Sequence, residues 1–113
     1  MRIKGGPSAA EHEATTLAVV VTDAVLTKPQ AKRLAMIAQT GMARAIYPVH
    51  APLDGDALFA AATCAKPIDP LFGLTELGMI AANTLSRAIA RGVYAATALP
   101  FANALPAWKD RFG

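Results

Sequence analysis

A chain of 113 residues holds one domain at most, and its 54% apolar content demands a buried core. Much of that content is alanine, which suits closely approaching elements better than a bulky aromatic interior. The formal charge is +3, and the basic residues, among them Arg2, Lys4, Lys28, Lys32, Arg33, Arg87 and Arg91, are scattered and form no basic stripe interleaved with aromatics, which argues against nucleic-acid binding.

The opening stretch MRIKGGPSAAEHE, residues 1–13, reads as a flexible lead-in without the apolar core of a signal peptide. Leu17 to Val21 is a β-branched apolar run bounded by Thr22-Asp23. It predicts a strand buried on both faces. In LTKPQAKRLAMIAQTGMARAI, Thr27 and Gln30 have the spacing of a capping box, and Pro29 falls in the first turn, where a missing N–H costs little. Ala31, Leu34, Ala35, Ala38, Met42 and Ala45 recur at helical spacing, predicting an amphipathic helix from about Lys28 to Ile46. Tyr47-Pro48 ends it, because a residue before proline avoids the helical region.

The loop His50 to Asp56 leads to a second apolar run, Ala57 to Thr63, predicted as a strand. After CAKPIDP, Asp69 can cap and Pro70 can open a long helix with Leu74, Leu77, Ile80, Ala81, Leu85, Ala88, Ile89 and Val93 inside, fading near Thr97. The tail 101–113 reads as irregular. The fold class is therefore α+β in the order strand, helix, strand, helix. Two strands make a poor sheet alone, so the chain is expected to be a piece of something larger or a subunit of an assembly.

Cys64 is the lone cysteine, which excludes an intramolecular disulfide and a thiolate metal site; it is expected as a small buried residue. No stretch approaches ~18 consecutive apolar residues, so no membrane span is expected, and the cytoplasm is the default location.

Three features could carry chemistry. Thr15 and Thr16 head the first strand. They are either ordinary strand residues or, if the chain is cut before Thr15, a source of a nucleophile. The freed α-amine, with a pKa of about 8, would then sit beside its own hydroxyl as a base. Asp54-Gly55-Asp56 is a turn, a two-carboxylate metal site short of ligands, or a carboxylate pair that holds a protonated amine. His12 and His50 have no serine or cysteine at an informative spacing; a solvated or loop-packing role is expected for both.

Four segments, TTLAVVVTDA, LTKPQAKRLA, MARAIYPVHAPLDGD and SRAIARGVYAATALP, together resemble the C-terminal part of the L-aminopeptidase/D-esterase family, which includes β-peptidyl aminopeptidases and nylon-oligomer hydrolases. The resemblance covers roughly residues 14–100, leaving 1–13 as lead-in and 101–113 as tail. It implies a precursor that cuts itself ahead of a serine or threonine, giving a large subunit and a small one that begins with the nucleophile. That position matches Thr15, and Asp54 and Asp56 match the acidic pair of the nylon-oligomer branch. The implied fold is a fragment of an α/β/β/α sandwich.

The resemblance also implies partners: the large subunit, which supplies a lysine and oxyanion-stabilising groups, a small peptide or amide substrate, and further copies in an oligomer. No metal or organic cofactor is implied. Ala14 stands where the threonine branch usually has Asn and the serine-type members Gly. Met1 is fourteen residues before Thr15, so the chain is expected to be a fragment or a truncated gene product. The isolated chain is expected to be inactive. The alternative is a non-catalytic remnant that only packs against other chains.

Overall fold

The computed structural model describes residues 15–52 and 54–113. The lead-in 1–13 with His12, and Ala14, lie outside the described residues. The element order is β1 (Leu17–Ala24), α1 (Lys28–Ala45), β2 (Ala57–Lys66), α2 (Phe72–Ala95) and a short α3 (Trp108–Arg111), an α+β arrangement in the expected order.

β1 and β2 pair in parallel, from Leu17 opposite Ala57 to Thr22 opposite Ala62. A parallel pair needs a long crossover, and α1 supplies it. The capping box forms as the spacing predicts. Thr27 N–H donates to Gln30 Oε1 at 2.8 Å, and Gln30 N–H donates to Thr27 Oγ1 at 3.3 Å. α2 begins at Phe72, two residues later than Pro70, so its cap position is Leu71, which makes no side-chain cap bond, rather than Asp69; Asp69 Oδ1 instead accepts N–H bonds from Leu71 at 2.8 Å and Phe72 at 3.3 Å in the turn that leads in.

The core lies between one face of the sheet and both helices. Leu34, Ala38, Leu74 and Ala81 pack with Ala24 and Leu26 against Val20, Leu58, Ala60 and Ala62. The helices meet closely. A Cβ on Gly41 would overlap the Ala82 carbonyl oxygen, and one on Gly78 would lie 2.6 Å from Ile37 Cγ2. Arg44 Nη1 also donates to Asn83 Oδ1 at 2.6 Å, tying α1 to α2 near the same crossing.

Other expectations need correction. β1 is covered on one face only: Leu17, Val19, Val21 and, on β2, Phe59 are 61–68% exposed on the other. Continuous hydrophobicity signals a covered strand but does not say that this chain provides both covers. Cys64 is exposed rather than buried. Past Thr22, β2 advances four residues while β1 advances two, and Cys64 takes φ 60 within that irregularity, beyond the inward alternation of Leu58, Ala60 and Ala62, with its Sγ 3.5 Å from the Leu26 carbonyl oxygen.

On α1, Ala45 is exposed at the helix end. On α2, Ile80 and Val93 are half exposed and Ala88 is exposed, because Ile80 and Ala88 line an open groove beside β1 and the last turns of α2 run past the core. The tail is not wholly irregular. Asp110 Oδ2 accepts the Ala107 N–H at 3.0 Å, and the Trp108 ring sits 5.9 Å from that of Tyr94, which seats α3 against α2. Among the described residues no helix is long and apolar enough to cross a membrane.

Candidate active site

The parallel register brings the head of β1 and the loop before β2 to the same end of the sheet. Leu17 pairs with Ala57, so Thr15-Thr16 and Asp54-Gly55-Asp56 meet although about forty residues separate them in the chain. Thr16 is pinned from both sides. Its carbonyl accepts the Ala57 N–H at 3.0 Å, and its N–H donates to Asp56 Oδ1 at 2.9 Å. Thr15 is therefore the last residue before a fixed main chain. Its Oγ1 lies over Gly55, only 3.0 Å from where a Cβ on Gly55 would stand. Any side chain there would crowd the Thr15 hydroxyl.

Asp56 is the centre of the arrangement. Its side chain is only 5% exposed. Its second oxygen, Oδ2, accepts the His50 N–H at 3.0 Å, and His50 Nδ1 stands 3.7 Å from the same atom. The His50 N–H bond is the main reason the carboxyl sits below its ordinary pKa. Burial opposes the shift, and the Thr16 N–H and the His50 ring add to it. A carboxylate offers about four acceptor sites, and two backbone donors leave room for a further cationic donor.

Asp54 behaves differently. Its Oδ2 accepts the Ala51 N–H at 3.3 Å, and its own N–H donates to the Ala51 carbonyl at 2.9 Å, which closes a local turn. Among the described residues no hydrogen bond joins it to either threonine. The turn reading of this loop describes Asp54, whereas Asp56 alone of the two reaches the strand head. His50, which spacing alone gave no role, takes part through its backbone. Its signal was never a motif; it is the positive φ of 54° that aims its N–H. Among the described residues no group of three or more His, Cys, Asp or Glu side chains gathers to hold a metal.

The lowered Asp56 pKa fixes the sign of a pH effect. A carboxyl that ionises more readily when folded adds stability that is fully present above its unfolded pKa and is lost as pH falls through its folded one. The melting difference between the parent and Asp56→Asn should therefore stay constant at neutral pH. It should close only as pH falls below the ordinary carboxyl range. A difference that closed above pH ~6 would contradict this assignment.

The sequence model of peptidase family S58 matches residues 1–105. An uncharacterized aminopeptidase of Mycobacterium tuberculosis is 38% identical over 109 residues, covering 87% of this chain and 31% of the relative. An uncharacterized aminopeptidase of Mycobacterium leprae is 44% identical over 93 residues, covering 73% of this chain and 26% of the relative. The chain thus spans less than a third of the length of these curated relatives.

Proposed function

The chain belongs to peptidase family S58, the L-aminopeptidase/D-esterase family, and on that footing we propose that it forms the small-subunit part of an N-terminal-nucleophile hydrolase acting on amide bonds. The observation that carries the reading is the contact between Asp56 and the backbone of Thr16, with Gly55 leaving space for the Thr15 hydroxyl. An acidic loop and a strand head distant in sequence meet around one exposed threonine.

The chemistry follows from these positions. In the precursor, Thr15 Oγ attacks the Ala14 carbonyl carbon; the peptide C–N bond breaks and an ester forms. Water hydrolyses that ester, leaving Thr15 with a free α-amine. In turnover the same hydroxyl attacks the substrate carbonyl while the α-amine takes its proton. The amine returns the proton to the leaving amine as the substrate C–N bond breaks. Water then cleaves the acyl ester and restores Thr15. Asp56, fixed by two backbone donors, is placed one residue from that α-amine and would hold its protonated form; Asp54 shapes the loop that presents Asp56 and joins it in the acidic pair. The substrate class is a small peptide or an amino-acid or aminohexanoate amide.

The large subunit is the proposed partner, and the open sheet face supports it. Burying an apolar side chain is worth roughly 1.5–3 kcal/mol, and Leu17, Val19, Val21 and Phe59 all await a cover. A second sheet laid there would complete the α/β/β/α sandwich, and processed units would assemble into oligomers. The groups that would stabilise the oxyanion come from the large subunit. The complete enzyme is therefore expected to hydrolyse amino-acid p-nitroanilides, and this chain alone is not. Hydrolysis by the pure chain, lost on Thr15→Ala, would contradict the division of labour. A complete enzyme inert towards every amide and ester tried would favour the non-catalytic alternative.

A further inference from the structure

We infer that His50 is a positioning residue whose left-handed backbone, rather than its imidazole, orients Asp56 towards the head of β1. This rests on the reading of Thr15 and Asp56 given above. His50 has φ 54°, a conformation that disfavours most residues with a Cβ, and β-branched ones above all. That conformation turns the His50 N–H onto Asp56 Oδ2 at 3.0 Å. The imidazole Nδ1, at 3.7 Å from the same oxygen, is beyond hydrogen-bond reach.

The opposite oxygen, Oδ1, binds the Thr16 N–H. The carboxylate is therefore clamped between two main-chain donors, one from the strand head and one from the loop. Its plane, and with it the direction of its free lone pairs, depends on both. Residue 50 lies outside the strand and its side chain is 36% exposed, so the constraint there comes from the turn rather than from core packing. Histidine is among the few residues other than glycine that enter this region with any frequency, as is asparagine.

The inference separates backbone from side chain by substitution in the complete enzyme. His50→Val resists positive φ and should lower kcat by about tenfold to a hundredfold, with KM changed far less, because the clamp on Asp56 loosens at the reacting end. His50→Gly and His50→Asn, which accept positive φ, should each recover most of that loss although neither has an imidazole. If His50→Val does not fold, His50→Ala takes its place in the same comparison.

Thr15→Ala runs alongside as the control for the parent reading. If Thr15→Ala is inactive and His50→Val turns over like the parent, the inference fails and the nucleophile assignment stands. If His50→Gly and His50→Asn fall as far as His50→Val, the imidazole is what matters and the inference fails. If Thr15→Ala retains activity, the assignment of the nucleophile itself is wrong, and the inference falls with it.

Discussion

Replacing Thr15 with alanine in the complete enzyme is expected to abolish both the cut before residue 15 and amide hydrolysis, a loss of at least about a thousandfold. In the proposed mechanism the same hydroxyl serves both reactions, so the two losses should appear together. Thr16→Val supplies the contrast. The contact that fixes this strand head to Asp56 uses the Thr16 backbone N–H, and valine keeps that N–H. Valine is also at home in a strand. Processing and turnover should therefore survive Thr16→Val. The measurement is a time course of subunit bands together with p-nitroanilide hydrolysis for the parent and both variants. Cleavage that survives Thr15→Ala and stops in Thr16→Val would show that the neighbouring threonine is the nucleophile.

The second large effect is structural. Gly41→Val should prevent α1 and α2 from meeting as they do. A Cβ at position 41 would overlap the Ala82 carbonyl oxygen and stand 2.9 Å from the Ala82 Cα, both backbone atoms that cannot turn aside. Overpacking a core typically costs about 1–3 kcal/mol, and here the obstruction is an entire helix. At about 4–8 °C per kcal/mol for a domain of this size, the melting temperature should fall by on the order of 10 °C or more, or soluble protein should not form. Gly92→Ala is the matched control. It lies in α2, and nothing stands within 4 Å of its Cβ position. Alanine there should be neutral or stabilising by up to ~1 kcal/mol. Equal melting curves for the two variants would contradict the proposed helix crossing.

Much of this was legible from the residues. The capping box at Thr27 and Gln30 and the spacing of Leu34, Ala35, Ala38 and Met42 announced α1. The run at Leu17 to Val21 announced β1 but not its end, because the polar Thr22 and Asp23 interrupt the apolar pattern before the strand closes on Ala24. Nor could the pattern reveal that one sheet face is bare, since periodicity reports what a strand can bury and not which chain covers it. The same limit explains Ile80 and Val93, which carry a helical pattern out into open surface.

At the site, the threonine pair and the Asp54-Gly55-Asp56 loop stand out by their own chemistry and the family resemblance assigns Thr15, Asp54 and Asp56 among them, while their meeting needed the parallel register. The different duties of the two aspartates depend on which backbone N–H each carboxylate reaches, a matter of loop conformation. Gly41 displays no motif, and spacing gives His50 only a solvated or loop-packing role, for a related reason. One matters through the space it leaves and the other through its dihedral angle, and neither property is a side-chain chemistry that a motif displays.

The central claim is that Thr15 becomes the first residue of the mature small subunit and reacts through its hydroxyl. The most direct measurement is the intact mass and N-terminal sequence of the small subunit in active, complete enzyme, taken before and after brief exposure to an acylating ester substrate. The account predicts a subunit that begins at Thr15 and a transient acyl adduct on that residue. An active enzyme whose chain still runs uncut through Ala14-Thr15, or whose adduct lies elsewhere, would contradict it.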